Sequence, residues 1–230
     1  MQAKAILFSE MTPPTALEQR FNDWYDTEHI PIRMQAPAFV GAQRYTAADN
    51  AHNYLAVYDV ESLAAFETHA YKKIKNESSD LTRTMLETVS GFTRYLAREL
   101  DRASQPAISD PETSPILYAV WFDVPEQHKS EFDDWYRHDH VPTLMECPNW
   151  AMVRRFEVVE GSPSPANRLA LHYLRDLSAL DSPARAKARE SPWRANLASQ
   201  PWFKGRYQVF NALGGRFKSA SWITAFPPPL

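Results

Sequence analysis

One stretch of this chain occurs twice. Residues 21–37 read FNDWYDTEHIPIRMQAP and residues 132–148 read FDDWYRHDHVPTLMECP. Eight of the seventeen positions are identical, where chance would give about one. The likeness extends more weakly on both sides. ILFSE resembles VWFDV before the motif, QRY at 43–45 resembles RRF at 154–156, and NYLAVYDVESLAAF at 53–66 parallels NRLALHYLRDLSAL at 167–180. The second copy has three extra residues in its GSPSPAN loop. A repeat of about 100 residues means one supersecondary unit built twice. The copies are read as residues 1–100 and 116–212, joined by a Pro/Ser/Asp-rich linker at 101–115 and followed by a tail at 213–230.

Each copy spells the same order of elements. AILF and ILYAVWF are β-rich runs that open the copies. Leu17, Phe21, Trp24 and Tyr25 recur at helical spacing, as do Phe132, Trp135 and Tyr136, so a first helix is expected to end where Pro31 or Pro142 blocks it. Two strands, a looser second helix (62–89 and 178–199) and a last strand complete β-α-β-β-α-β, twice. This is an α+β, ferredoxin-like unit whose sheet carries helices on one face only. The bare faces are expected to pack sheet to sheet as an intramolecular α+β barrel.

The repeated motif also holds the candidate chemistry. His29 and His140 are expected in a last helical turn, where the dipole favours the imidazolium and keeps it a competent acid or base. The same placement serves equally to cap the last carbonyls. Asp139, like Glu28, points about 100° away from its histidine on a regular helix and reaches it only if the turn unwinds. Tyr25 and Tyr136 sit beside the histidines as possible donors, whereas Trp24 and Trp135 read as core. Strand alternation, taking Leu55, Val57, Leu169 and Leu171 toward the helices, turns Tyr58 and His172 to the interior. Arg44, Arg154 and Arg155 could hold an anion, or else be exposed strand residues. The second copy surrounds His140 with His138, His172, Trp150 and Cys147, and the first offers Tyr58 and small residues near His29. The site is therefore expected in the second half, with His140 as base and His172 or Tyr136 as acid partner. Asp139 would orient or charge it, and Tyr25, Tyr58, Trp150 and Arg154 would bind substrate.

Composition removes alternatives. A net charge of −3 provides no field for nucleic acid. No apolar run is long enough to span a membrane, the start lacks a signal-peptide pattern, and a cytoplasmic protein is expected. One cysteine excludes an internal disulfide framework and paired-thiolate zinc, and His138-x-His140 has no third ligand spaced to join it, so no metal is expected. Six glycines and no phosphate-cradling loop argue against nucleotide cofactors. The eight Lys/Arg against two Asp/Glu in 181–220 read as a solvated face.

The doubled W-Y-x-x-[ED]-H-[IV]-P-x-x-M motif on this frame resembles the EthD-like group of the dimeric α+β barrel superfamily, here as a tandem fusion of both halves. The resemblance implies a small organic substrate held between sheet and helices, with His29 and His140 as the residues to carry over. The superfamily includes isomerases, cyclases and dehydratases, cofactor-free monooxygenases and heme-using enzymes, so fold alone does not select a reaction. With no cofactor signature, the expectation is a cofactor-independent lyase or isomerase acting on a small cyclic, aromatic or polyketide-like metabolite. A heme- or oxygen-using enzyme and a non-catalytic carrier of a hydrophobic metabolite remain the alternatives. Both a monomer and a homodimer stay open.

Overall fold

The computed structural model describes residues 3–163 and 166–219. Eight strands, β1 (Ala5–Thr12), β2 (Phe39–Ala47), β3 (Tyr54–Val60), β4 (Ser90–Ser104), β5 (Ile116–Phe122), β6 (Trp150–Ser162), β7 (Arg168–Leu174) and β8 (Arg206–Lys218), form a closed antiparallel barrel in the order β1-β3-β2-β8-β5-β7-β6-β4. The chain divides into two compact units, residues 3–98 with 159–163 and 213–219, and residues 99–158 with 166–212. β4 continues to Ser104, into the segment read from sequence as linker, and residues 213–218 of the expected tail are strand in β8. Residues 220–230 of that tail lie outside the described residues.

In the first unit β1 pairs with β3 and β4, and β2 pairs with β3. Its helices are α1 (Glu18–Trp24), α2 (Ile30–Met34), α3 (His69–Asn76) and α4 (Asp80–Thr88). In the second unit β5 pairs with β7 and β8, and β6 pairs with β7, with helices α5 (Lys129–Trp135), α6 (Val141–Leu144), α7 (Pro183–Arg189) and α8 (Pro192–Ala198). Thr68, Ser79, Ser182 and Ser191 cap α3, α4, α7 and α8, each accepting from the backbone N–H three residues on. Pro183 and Pro192 begin their helices at the position where a missing N–H costs nothing.

The first helix of each copy does not end at its proline. In a regular α-helix Pro31 or Pro142 would remove a donor and press its ring onto the carbonyl four residues back. Instead the chain widens into a π-helical turn, Tyr25–His29 and Tyr136–His140, and then runs on as α2 and α6 with the proline in their first turn. The wide turn absorbs the proline, so the helix bends its hydrogen-bond pattern and continues.

The expected facing of β3 and β7 is inverted. Tyr54, Ala56 and Tyr58 belong to the buried cluster that contains Phe21, Trp24 and Tyr25, and Ala170 packs with Phe132, Trp135 and Tyr136. These are the helix-covered faces. Leu55, Val57, Leu169 and Leu171 point the other way and are equally buried. Every residue of both strands is buried, so apolar character carries no information about which side faces the helices.

The strand arginines are neither exposed nor open to a ligand. Arg154 is 1% exposed and grips Glu99 through Nε at 3.0 Å and Nη2 at 2.7 Å. Arg155 pairs with Asp101 and reaches Asp133, which also receives Arg168 at 2.8 Å. Arg44 pairs with Asp26 at 2.8 Å while lying 4.7 Å over the Tyr25 ring, and Arg155 takes the same place 5.3 Å over Tyr136. Arg154 is thus a structural residue and not a substrate contact. Arg154→Ala would strand the Glu99 carboxylate, and it is expected to cost about 3–5 kcal/mol of stability, read from the urea midpoint.

Candidate functional site

The second unit contains a cavity of about 470 Å³ between its sheet and its own helices. Strand residues Tyr118, Val120, His172, Tyr207 and Val209 form the floor, Trp135, Tyr136 and His140 enter from the motif helix, and Arg185, Arg189 and Arg194 border it from α7 and α8. Register explains the grouping: Tyr118 pairs with His172 on β7 and with Val209 on β8, and Val120 pairs with Tyr207. Tyr118 and Tyr207 stack at 6.1 Å. Gly205 lets this wall close up, since a Cβ there would lie 2.5 Å from the Tyr207 hydroxyl and 2.7 Å from the Phe122 ring.

A chain of hydrogen bonds runs through the floor. Trp150 Nε1 donates to His172 Nδ1 at 3.1 Å, and His172 Nε2 lies 3.2 Å from the Tyr136 hydroxyl. Indole can only donate, so Nδ1 is the acceptor and the proton of a neutral His172 sits on Nε2. That proton points at the Tyr136 oxygen. The phenolic hydrogen of Tyr136 is then not consumed by His172 and is available to the cavity. Burial pushes the Tyr136 phenol well above its ordinary value, which keeps it a donor.

His140 stacks beside Trp135 at 4.7 Å and Tyr136 at 5.0 Å. Burial, then the Arg194 guanidinium, lower its pKa to about 4, against a backbone hydrogen bond to Ala188 and the Asp139 charge. Its Nδ1 is buried with no hydrogen-bond partner, so the Ala188 contact belongs to Nε2 and the free lone pair to Nδ1. Asp139 does not turn toward His140. It accepts from Trp135 Nε1 at 3.1 Å and Ser191 Oγ at 2.6 Å, tying the motif helix to the cap of α8.

The first unit reproduces the frame with other contents. His29 is 5% exposed, packed on Trp24 at 4.2 Å and Tyr25 at 4.7 Å, with its Nδ1 also unpartnered and its pKa well below the usual value through burial. Glu28 accepts from Thr82 Oγ1 at 2.9 Å and from Ser79, the cap of α4. Tyr71 and Thr82 stand at the places of Arg185 and Arg194, three residues after their caps, and Tyr71 stacks on Phe39 at 5.5 Å. Tyr58 is buried with its hydroxyl unpartnered. His29, Tyr25 and Tyr58 come together, yet no arginine of α3 or α4 joins them.

Of the residues expected from sequence, the structure gathers His140, His172, Tyr136 and Trp150 around one cavity, leaves Asp139 behind it, and removes Arg154. Arg185, Arg189 and Arg194 were missed. Their signal was present: Arg185 and Arg189 are four apart on a helix capped by Ser182, inside the basic run read as a solvated face. Among the described residues, no three His, Cys, Asp or Glu side chains gather to hold a metal, and no helix is long and apolar enough to cross a membrane.

No protein-family model and no curated protein sequence matches the chain. Solved structures do. An anthrone oxidase-like protein superposes with a TM-score of 0.67 over 96% of this chain and 95% of its own, at 10% identity. The fold is that of the dimeric α+β barrel proteins. A candidate monooxygenase from Lactobacillus acidophilus NCFM gives 0.59 over 94% and 97% at 7% identity. A candidate chlorite dismutase gives 0.51 over 92% and 96% at 10% identity. At such identities the likeness concerns the backbone alone.

The neutral buried imidazoles have a consequence for stability. The folded pKa of His140, about 4, lies below the ordinary 6.5, so between these values the unfolded chain binds the extra proton and stability rises with pH. Above pH 6.5 this contribution is constant. Urea unfolding at pH 4, 5, 6 and 7 is expected to show the acid loss, and His140→Asn to flatten it by up to about 1.4 kcal/mol per pH unit.

Proposed function

We propose that the second unit carries the active site of a cofactor-free oxidase or monooxygenase for a small hydroxyaromatic compound. The observation that carries this reading is one cavity that joins an unpartnered imidazole lone pair, a phenolic donor with a free hydrogen, and aromatic walls. The names of the neighbouring structures, anthrone oxidase-like and monooxygenase, favour oxygen chemistry over the lyase or isomerase expected from sequence. The doubled motif supports an EthD-like branch of this fold, and the repeated element order supports a tandem of two ferredoxin-like halves.

A heme would need an imidazole nitrogen open to the cavity. Both nitrogens of His172 are taken by Trp150 and Tyr136, and Nδ1 of His140 is fully buried. A hydroxyl hydrogen can meet that lone pair after a small ring rotation, whereas the iron of a rigid macrocycle cannot. The residues do not fit a heme, and no step is derived through one.

The chemistry then runs on the substrate's own electrons. The substrate hydroxyl supplies the donor that His140 Nδ1 lacks, and His140 takes its proton while the backbone contact with Ala188 holds the ring. Tyr136 donates to the oxyanion, held in line by His172 and Trp150. The electron-rich anion reduces dioxygen. For an aromatic ketone with a ring CH2 in its enol form, one oxygen atom ends in a new C=O at that carbon, and the other leaves as water with the two hydrogens. No external reductant is required.

With such a substrate, oxygen uptake and quinone formation are expected in a one-to-one ratio. His140→Ala is expected to lower kcat by about 10²–10⁴ and Tyr136→Phe by about 10². His29→Asn, in the other unit, retains turnover per folded molecule. The free enzyme needs neutral His140, so kcat/KM rises with pH through about 4 and is level above about 5. Turnover without oxygen uptake would return the site to lyase or isomerase chemistry.

A further inference from the structure

Three guanidiniums border a cavity whose floor is aromatic and neutral. Arg185 and Arg194 are half-buried and Arg189 is exposed. Among the described residues, no carboxylate lies within 4.0 Å of any of them. The contrast with the rest of the unit is plain: Arg102, Arg137, Arg154, Arg155 and Arg168 all end on carboxylates. What fixes the cavity arginines is the backbone. Arg185 Nη1 donates to the Leu180 carbonyl at 2.5 Å and Arg194 Nη1 to the Arg189 carbonyl at 3.1 Å. Arg194 also lies 5.7 Å over the Phe203 ring. Each of these two heads is anchored by one nitrogen, and neither has its charge neutralised.

We infer that the ligand of this cavity carries a carboxylate, separate from its reacting hydroxyl, which docks on Arg185, Arg189 and Arg194. This rests on the oxidation reading only for the location of the reacting end. One phenolate cannot balance three cations, and Tyr136 already serves that oxygen at the floor. A carboxylate at the mouth receives paired N–H donors from guanidiniums whose placement is already set by α7 and α8. Its charge also opposes the field of Arg194 and Arg185 on His140, both of which lower that pKa. Binding the acid would therefore make His140 a stronger base at the moment it is needed. The first unit has Tyr71 and Thr82 at the places of Arg185 and Arg194 and lacks this device.

The test is equilibrium binding without turnover, under nitrogen, to the whole chain. The probes are 3-hydroxy-2-naphthoate and 2-naphthol, which share the hydroxylated ring system and differ in the carboxylate. The acid is expected to bind about 10- to 100-fold more tightly at low salt, with the margin narrowing as salt is added. Arg194→Gln and Arg185→Gln are each expected to remove most of that margin while leaving 2-naphthol affinity unchanged. Arg189→Gln, on an exposed side chain, covers the case in which a half-buried variant fails to fold, and its expected loss is smaller. Equal affinity for the two probes, or a margin that survives in the variants, overturns the inference. The readout is independent of oxygen. If neither probe is oxidised but the acid keeps its margin, the oxidation reading fails and the carboxylate site stands; oxygen uptake with no margin gives the reverse.

Discussion

The hydroxyl of Ser191 holds the working half together. It accepts the backbone N–H of Arg194, which caps α8, and it donates to Asp139, which also receives the Trp135 indole. One oxygen thus connects the motif helix, the start of the last helix and the residue that carries the cavity's innermost cation. The acidic position of the repeated motif is explained by this joint. A carboxylate beside a helix N-terminus meets free N–H groups and the positive end of the dipole, so it is stable there without a cationic partner. Ser79, Thr82 and Glu28 make the same joint in the other unit, with Trp24 donating to Thr82.

Given that shared frame, the two halves differ by a few side chains. Trp150 and His172 on the strands of one correspond to Phe39 and Tyr58 in the other, and the α7 and α8 arginines correspond to Tyr71 and Thr82. On one side the exchange gives an indole-to-imidazole-to-phenol chain ending in a free donor. On the other it gives ring-on-ring packing among Phe39, Phe66 and Tyr71. The two motif histidines share a neutral, buried state because both sit against the tryptophan of the preceding turn. What separates them is what the cavity around the ring contains.

The sequence was most informative where a pattern is repeated and least where a pattern saturates. The doubled motif and the recurring strand and helix runs placed every element to within a few residues, and they pointed to His140, His172, Tyr136 and Trp150 as one group. The facing of β3 and β7 was not legible, since both sides of these strands are buried and alternation is blank. Arg154 read as a ligand residue because its partner, Glu99, lies 55 positions away in sequence, in the run next to the expected linker. The α7 and α8 arginines were hidden by the opposite error. A local excess of positive charge looks the same in one dimension whether it faces solvent or a cavity.

The π-helical turns bear on how such a site can change. A turn closed by i→i+5 bonds contains one residue more than an α turn of the same kind. Everything before it, Phe132 and Trp135 included, keeps its place against the sheet, and everything after it is advanced around the axis by about 100°. Loss of a single exposed residue from the turn, such as Arg137, would restore the ordinary winding. The imidazole would then swing off the cavity while the aromatic core before the turn stayed packed. The aim of the histidine is therefore stored in chain length, apart from any contact it makes, and a one-residue deletion can silence the site without unfolding its scaffold.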